Sequence, residues 1–530
     1  MVAYTECPFW PCDNEVCTTP QHYHGISVEK AAQIAEIDAE VHNVVITLLG
    51  KCVALNRKRN ALLPAVNLPQ EILVMIFEFA CTEKDHGRFS TVLNAEFWRY
   101  ATWDAHSSPG PLHISRVCSV WREVALATPQ LWNTIKLEVY GWADESKAAA
   151  ALQYWLSNSG QRPLTVALVE DADEVETKYA NQNAVIEVLV PYAHRLETAE
   201  LLMIRNWDAA LGRIGKNAVL LKSVALLVPN ADYCISDIPF FSGAPELRRI
   251  HLQEYSLADA LLPLQQIEHL TMEHLDSTVD FVKIISRCPE LQHFSLNAEA
   301  DVEYDSNAPV KFLTHNKLHS LDLDFYYQKN LASRLQGLTL PALRSFKLRS
   351  RNRMYQPSPI LSPFLANLSS TLESLSLHGH DILEEDLVDC LKALTRLREL
   401  TLQYFGNQMM SKNVLLLLTS KDCSTMDLKD GAVVDDRRQV LVPSLTTFSC
   451  NADVDDPHLL VEFFASRWDG QHQPREVPEA VESPFQSPTT LAARLLSVAF
   501  RSSQIHLGYE DVVAVRRLRR EGMHVELANH

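Results

Sequence analysis

Cysteine and histidine are the first residues in this chain that could do chemistry. Cys7, Cys12, Cys17, His22 and His24 stand among prolines in the first 25 residues, and thiolate and imidazole are the usual ligands of zinc. Structural zinc sites, however, draw ligands in close C-x-x-C pairs, and none is present. The stretch reads as a flexible tail over residues 1–26 with no metal. His378-Gly379-His380-Asp381 has ligating types as well, but it follows an apolar run ending at Leu377, where a polar turn belongs. Gly50-Lys51-Cys52 ends like a phosphate loop, yet Val45 stands where its first glycine is needed. No G-x-S-x-G, H-E-x-x-H or dinucleotide fingerprint occurs. The expectation is a non-catalytic chain without cofactors.

Binding chemistry is better represented. Arg344, Lys347, Arg349, Arg351 and Arg353 fall within ten residues, preceded by Glu299, Asp301, Glu303, Asp305, Asp322 and Asp324. Guanidinium groups grip phosphate or carboxylate through paired donors, so the five cations are a candidate site for a phosphorylated or acidic target. Balance against the neighbouring acids across a sheet is the competing reading. The chain is acidic, with 66 Asp and Glu against 48 Lys and Arg and a net charge of −18, which opposes general binding to nucleic acid or anionic membrane. Its longest apolar runs, Val44–Leu49 and Val414–Leu418, fall far short of the roughly 20 residues of a membrane span. Cysteines such as Cys118, Cys288, Cys390 and Cys450 stand singly among apolar neighbours, as small buried hydrophobes in a reducing compartment do. A cytoplasmic or nuclear protein is expected.

These residues need elements to position them. From Val28, Ile34, Ile37, Val41, Val44 and Leu48 recur at steps of three and four, continued by Cys52 and Leu55. That predicts an amphipathic helix over 27–63, with Ser27 as N-cap, Glu29 and Glu36 toward its positive end and Arg57-Lys58-Arg59 at its negative end. Such a stripe serves a coiled-coil dimerisation arm or a helix folded back on its own chain. Pro64 and Pro69 end it. Ile72, Leu73, Ile76, Phe77 and Ala80 then mark one face of a short helix. The polar stretch that follows holds Phe97, Trp98, Tyr100 and Trp103, which are expected to pack. A second helix is expected over Ile114–Ala127, with Val117, Val120, Trp121, Val124 and Ala125 on one side, and Pro129 starts a final turn carrying Leu131 and Trp132.

The run L-P-x-E-I-L-x-x-I-F from Leu68, V-C-x-x-W-R-x-V-A from Val117 and P-x-L-W from Pro129 resembles an F-box, the helical module by which substrate receptors dock on the Skp adaptor of a cullin-based ubiquitin ligase. The resemblance implies adaptor contacts at Leu68, Pro69, Ile72, Leu73 and Ile76, and core packing by Val117, Trp121 and Trp132, in a module over 65–135. It departs from the usual pattern in the 36 residues between Ala80 and Val117, read as an insert at about 82–111. F-boxes with such inserts, preceded by a long helix and followed by irregular leucine-rich repeats, are common in mushroom-forming fungi. Independently of the resemblance, a unit this small has more apolar surface at its start than it can hide, and needs a partner or a neighbour.

Beyond residue 190 one frame, L-x-x-L-x-L, recurs with starts at 196, 221, 247, 267, 291, 318, 343, 372, 397, 423 and 445, spaced 20 to 29 residues. This is the leucine-rich-repeat range. Each copy supplies a short strand and a return segment, and neighbours must stack to bury their leucines. Leu164–Val169 reads as an opening strand after a helix over Tyr140–Asn158, residues 470–488 as a loop, and Leu491–Phe500, Tyr509–Glu521 and Met523–Leu527 as closing helix and strand elements. Arg516–Arg520 reads as helix-end cations in preference to a nuclear signal. Between the leucines, His251, Thr271, Ser295, Asp322, Lys347, Ser376, Thr401 and Asp427 face away from the core. The expected fold class is α/β: an N-terminal helix and a small all-α F-box followed by an irregular leucine-rich-repeat solenoid over 138–530. The expected function is the substrate-recognition subunit of an SCF-type ligase, with Skp adaptor, cullin and an unknown target protein as partners. The alternative is a non-degradative scaffold in which the module is a helical cap or binds the adaptor alone.

Overall fold

The computed structural model describes residues 28–81, 110–138, 145–169, 184–202, 207–227, 241, 243–253, 262–273, 281–298, 312–325, 331–350, 361–378, 384–403, 409–410, 412–419, 441–454, 456–469, 492–502 and 507–529. The chain is mixed α/β and divides into two compact units, Met1–Lys222 with Gly243–Glu246, and Ser223–Ser242 with Leu247–His530. The N-terminal cysteines and histidines, Ser27, the aromatics of the insert, His380, Asp381 and residues 470–488 lie outside the described residues.

The first unit opens with helix α1 (Val28–Asn60) and helix α2 (Gln70–Cys81). The expected single helix over Ile114–Ala127 is two, Pro111–Val117 and Ser119–Leu126, because Cys118 is extended (φ −159°, ψ 173°) and its sulfur caps the second helix by accepting from the Trp121 N–H. A short 3-10 turn, Pro129–Trp132, leads directly into strand β1 (Thr134–Glu138). Strand β1 pairs in parallel with β2 (Leu164–Val169), so the opening strand lies one crossover earlier than expected. Helix Glu145–Asn158 connects the two. Strand β2 then pairs in parallel with β3 (Leu196–Leu202).

The second unit is a long parallel sheet. In chain order its strands are β4 (Ser223–Leu227), β5 (Arg249–Gln253), β6 (His269–Glu273), β7 (His293–Ala298), β8 (Leu313–Thr314), β9 (Ser320–Phe325), β10 (Leu338–Thr339), β11 (Ser345–Ser350), β12 (Ser374–His378), β13 (Glu399–Gln403), β14 (Met409–Met410), β15 (Thr447–Asn451), β16 (Asp453–Val454), β17 (Ser497–Ser502) and β18 (His524–Asn529). Strands β8 with β10 and β14 with β16 form small separate pairs, and the others follow one another across the sheet. Register carries the leucine frame from strand to strand. Val224, Ile250, Leu270, Phe294, Leu321, Phe346, Leu375, Leu400, Phe448, Val498 and Val525 align in one buried row. Return helices pack on that side: Phe346 meets Phe364 edge-on with centroids 5.3 Å apart, and Phe448 meets Phe463 likewise at 5.4 Å.

Strand β13 pairs directly with β15, and the expected copy at Cys423-Met426-Leu428 lies outside the described residues. Of the closing elements, those within Leu491–Phe500 and Met523–Leu527 are strands of the same sheet: Leu495-x-x-Val498-x-Phe500 repeats the leucine frame in β17, and Val525-x-Leu527 does so in β18. The helix before β18, Tyr509–Arg520, turns Val515 and Leu518 inward and its arginines outward, and Gly522 supplies the left-handed backbone (φ 102°) that ends it. One return is pinned by a buried cation: Arg467, 1% exposed, donates to the carbonyls of Leu418 (2.8 Å) and Leu441 (2.6 Å).

Candidate docking site

The helical module closes on a small core of Leu73, Phe77, Ile114, Val124, Ala125, Leu131 and Trp132, with Trp121, Tyr154 and Trp155 packed against it. Its start is set by Pro69, whose carbonyl accepts from the N–H groups of Ile72 (3.0 Å) and Leu73 (3.1 Å). Leu73 and Phe77, one helical turn apart, point inward together. Trp132 is fully buried. Its indole N–H donates to the Ala125 carbonyl at 2.8 Å, and its ring stands edge-on to Trp155 with centroids 5.4 Å apart. Trp121 is half-buried and leans on Phe77 at 5.0 Å. Burial pushes the Cys81 thiol up to about 11, so it stays protonated.

The opposite side of α2 is apolar and open. Leu68, Pro69, Ile72 and Ile76 are exposed, together with Met75 at 63% and Phe79 at 70%. These six therefore form a ridge along one helix face and the chain just before it, and Leu62 and Leu63, earlier in the chain, are exposed as well. The single face expected from Ile72, Leu73, Ile76, Phe77 and Ala80 is in fact divided. Leu73 turns into the module at 1% exposure, so of the five expected adaptor contacts it is the one whose side chain is not presented. Met75 and Phe79 were not among the expected contacts, although the steps 72, 76 and 79 trace the same face. Val117, expected in the core, is 57% exposed, because the break at Cys118 ends its helix and turns it outward. Trp121 and Trp132 are where packing was expected.

The second candidate surface is the face of the long sheet opposite the leucines. Register sets His251, Thr271, Ser295, Asp322, Lys347, Ser376 and Thr401 side by side in one row, and Ser449 follows Thr401; Asp427 is outside the described residues. In the basic cluster, Lys347 pairs with Asp322 at 2.8 Å and Arg349 with Asp324 at 3.1 Å, both across the β9–β11 boundary. These two cations are thus committed to neighbouring acids, which is the balancing arrangement. Arg344 is exposed, and Arg351 and Arg353 lie outside the described residues. Beside Arg349, buried His378 shares a 2.6 Å hydrogen bond with the Ser376 hydroxyl. Burial first, then the charges of Arg349 and Lys347, press its imidazole down to about 4, so it is neutral near pH 7. In the first unit, burial lifts the Glu200 carboxyl to about 7, opposed by nearby Lys136.

Among the described residues no group of three or more His, Cys, Asp and Glu side chains could hold a metal ion, and no helix is long and apolar enough to cross a membrane. Cys288, Cys390 and Cys450 are buried, Cys118 is half-buried and Cys52 is exposed. Compared with protein-family models and with curated proteins, the chain matches none.

Proposed function

We propose that this chain is the substrate-recognition subunit of an SCF-type cullin ubiquitin ligase. In this reading the helical module is an F-box. Its ridge of Leu68, Pro69, Ile72 and Ile76, widened by Met75 and Phe79, docks on the Skp adaptor, and cullin joins through the adaptor. The long parallel sheet with its return helices is a leucine-rich-repeat solenoid whose polar row presents a target protein. The chain contributes proximity and orientation to a reaction whose nucleophile sits on another subunit. It acts in the cytoplasm or nucleus, where the adaptor and cullin reside.

The observation that carries the reading is the exposed ridge beside a core that is already filled. A small module with a satisfied interior has no internal use for so much apolar surface on one helix, and exposed patches of this kind mark protein interaction sites. The exposure of Leu68, Pro69, Ile72 and Ile76 and the packing of Trp121 and Trp132 support this reading, while Leu73 is buried and Val117 exposed. A pull-down tests the reading. The wild-type chain should retain adaptor and cullin together, and the Leu68→Ala/Pro69→Ala double variant should lose both. Adaptor without cullin supports the scaffold alternative, and failure of the folded wild-type chain to retain adaptor removes the basis of the reading.

A further inference from the structure

We infer that α1 pairs with α1 of a second copy of this chain, in antiparallel orientation. The helix is 33 residues long, about 50 Å at 1.5 Å per residue. Every residue from Ala35 to Arg59 is exposed, so the fold-back reading of this helix is not what the described residues show. Ile37, Val41, Val44, Leu48 and Leu55 are each more than half exposed and lie on one stripe. On a seven-residue repeat, Ile34, Val41, Leu48 and Leu55 take one seam position, and Ile37, Val44 and Lys51 the other. A sustained apolar stripe in water is the seam of a helix pair.

Charge selects both the partner and its direction. The N-terminal half carries Glu29, Glu36, Asp38 and Glu40 with Lys30 alone against them. The C-terminal half carries Lys51, Arg57, Lys58 and Arg59 and no acid. Two copies in parallel set acids against acids and bases against bases. Reversed copies that cross near residue 46 layer Leu48 on Val44 and Leu55 on Ile37, each in both directions. The same alignment sets Glu36 opposite Asn56, beside Arg57 of the other copy, with Asp38 within a turn of it, so the acidic half of each helix runs along the basic half of the other. Lys51 then lies over Val41 of the other copy, its stem on the seam and its ammonium beside Glu40. An unrelated partner would have to supply both an apolar stripe and an opposed charge gradient, whereas a second copy already carries them. Antiparallel pairing also directs the rest of the two chains away from opposite ends of the shared helix pair.

Two measurements on the full chain test this. Sedimentation equilibrium should give a dimer for the wild type and a monomer for Val44→Glu/Leu48→Glu. The variant should stay folded with a cooperative melt, because both positions are solvent-facing in the single chain. A monomeric wild type, or a dimer that persists in the variant, overturns the pairing. For direction, Asp38→Cys is oxidised and digested, and the linked peptides are read by mass spectrometry. Links joining position 38 of one copy to native Cys52 of the other are expected, since both flank the same side of the antiparallel seam. A dimeric Asp38→Cys variant that forms no links between position 38 and Cys52 overturns the orientation. The inference does not depend on the adaptor reading: a variant that loses the adaptor through Leu68 and Pro69 should still be dimeric.

Discussion

Ile72 and Leu73 are adjacent in sequence and similar in volume, yet they should respond oppositely to truncation. Leu73 is 1% exposed and packs among Phe77, Ile114 and Trp132, whereas Ile72 is 41% exposed on the ridge. Removing a buried leucine loses its transfer free energy and leaves a void that a small core refills incompletely, so Leu73→Ala should destabilise by about 3 kcal/mol. Ile72→Ala loses only partial contact and gains a few tenths of a kcal/mol in helix propensity, for a net change of about 0.5 kcal/mol or less. Urea unfolding followed by tryptophan fluorescence reports the comparison, because Trp121 and Trp132 sit in the same module. The midpoint should fall clearly for Leu73→Ala and scarcely move for Ile72→Ala, while adaptor binding should weaken in the second. Equal losses of stability, or a larger loss at Ile72, would refute the division of α2 into an inner and an outer face.

The two tryptophans should differ in the same assay: Trp132→Ala costs about 4 kcal/mol, losing a fully buried ring and its donor to the Ala125 carbonyl, while half-buried Trp121→Ala costs about half as much. Arg467→Ala leaves the buried carbonyls of Leu418 and Leu441 without donors and should cost about 3 kcal/mol in thermal or urea unfolding, with only partial recovery in Arg467→Lys, whose single ammonium cannot span them. Acidification should destabilise the second unit between about pH 6.5 and 4. His378 has a folded pKa of about 4 and an unfolded value of 6.5, so in that window the unfolded chain binds the extra proton and stability falls as pH falls. His378→Gln should flatten the urea midpoint over that window, and an unchanged slope would contradict the assignment.

Most of the sheet was legible because its signal is periodic. Each frame from Leu221 to Leu397 places three apolar side chains at spacings that only a strand and its preceding turn can bury together, and those residues form the buried rows. Cys423-Met426-Leu428 fits the pattern and lies outside the described residues, while β15 takes the place beside β13. The frame was overlooked where another motif had claimed the residues. Trp132-x-x-Ile135-x-Leu137 is the same frame with tryptophan in first place, and it begins strand β1 while still completing the helical module. In α2 the limit was physical. Apolar residues surround the helix, so spacing could not say which of Ile72 and Leu73 would be buried; that choice rests with Ile114, Val124 and Trp132, which are distant in sequence. The pairing of Lys347 with Asp322 and of Arg349 with Asp324 depends on strand register, which places neighbours about 25 residues apart side by side.

The ridge on α2 is proposed as the docking surface for the Skp adaptor. Titration calorimetry of the purified full-length chain with purified adaptor tests it most directly, comparing wild type with Ile72→Asp/Ile76→Asp, in which both changes are solvent-facing and leave the core of Leu73, Phe77 and Trp132 intact. The account predicts saturable one-to-one binding by the wild type and at least a hundredfold loss, about 2.7 kcal/mol, in the folded variant. Absence of binding by the wild type, or equal binding by both proteins, would contradict it.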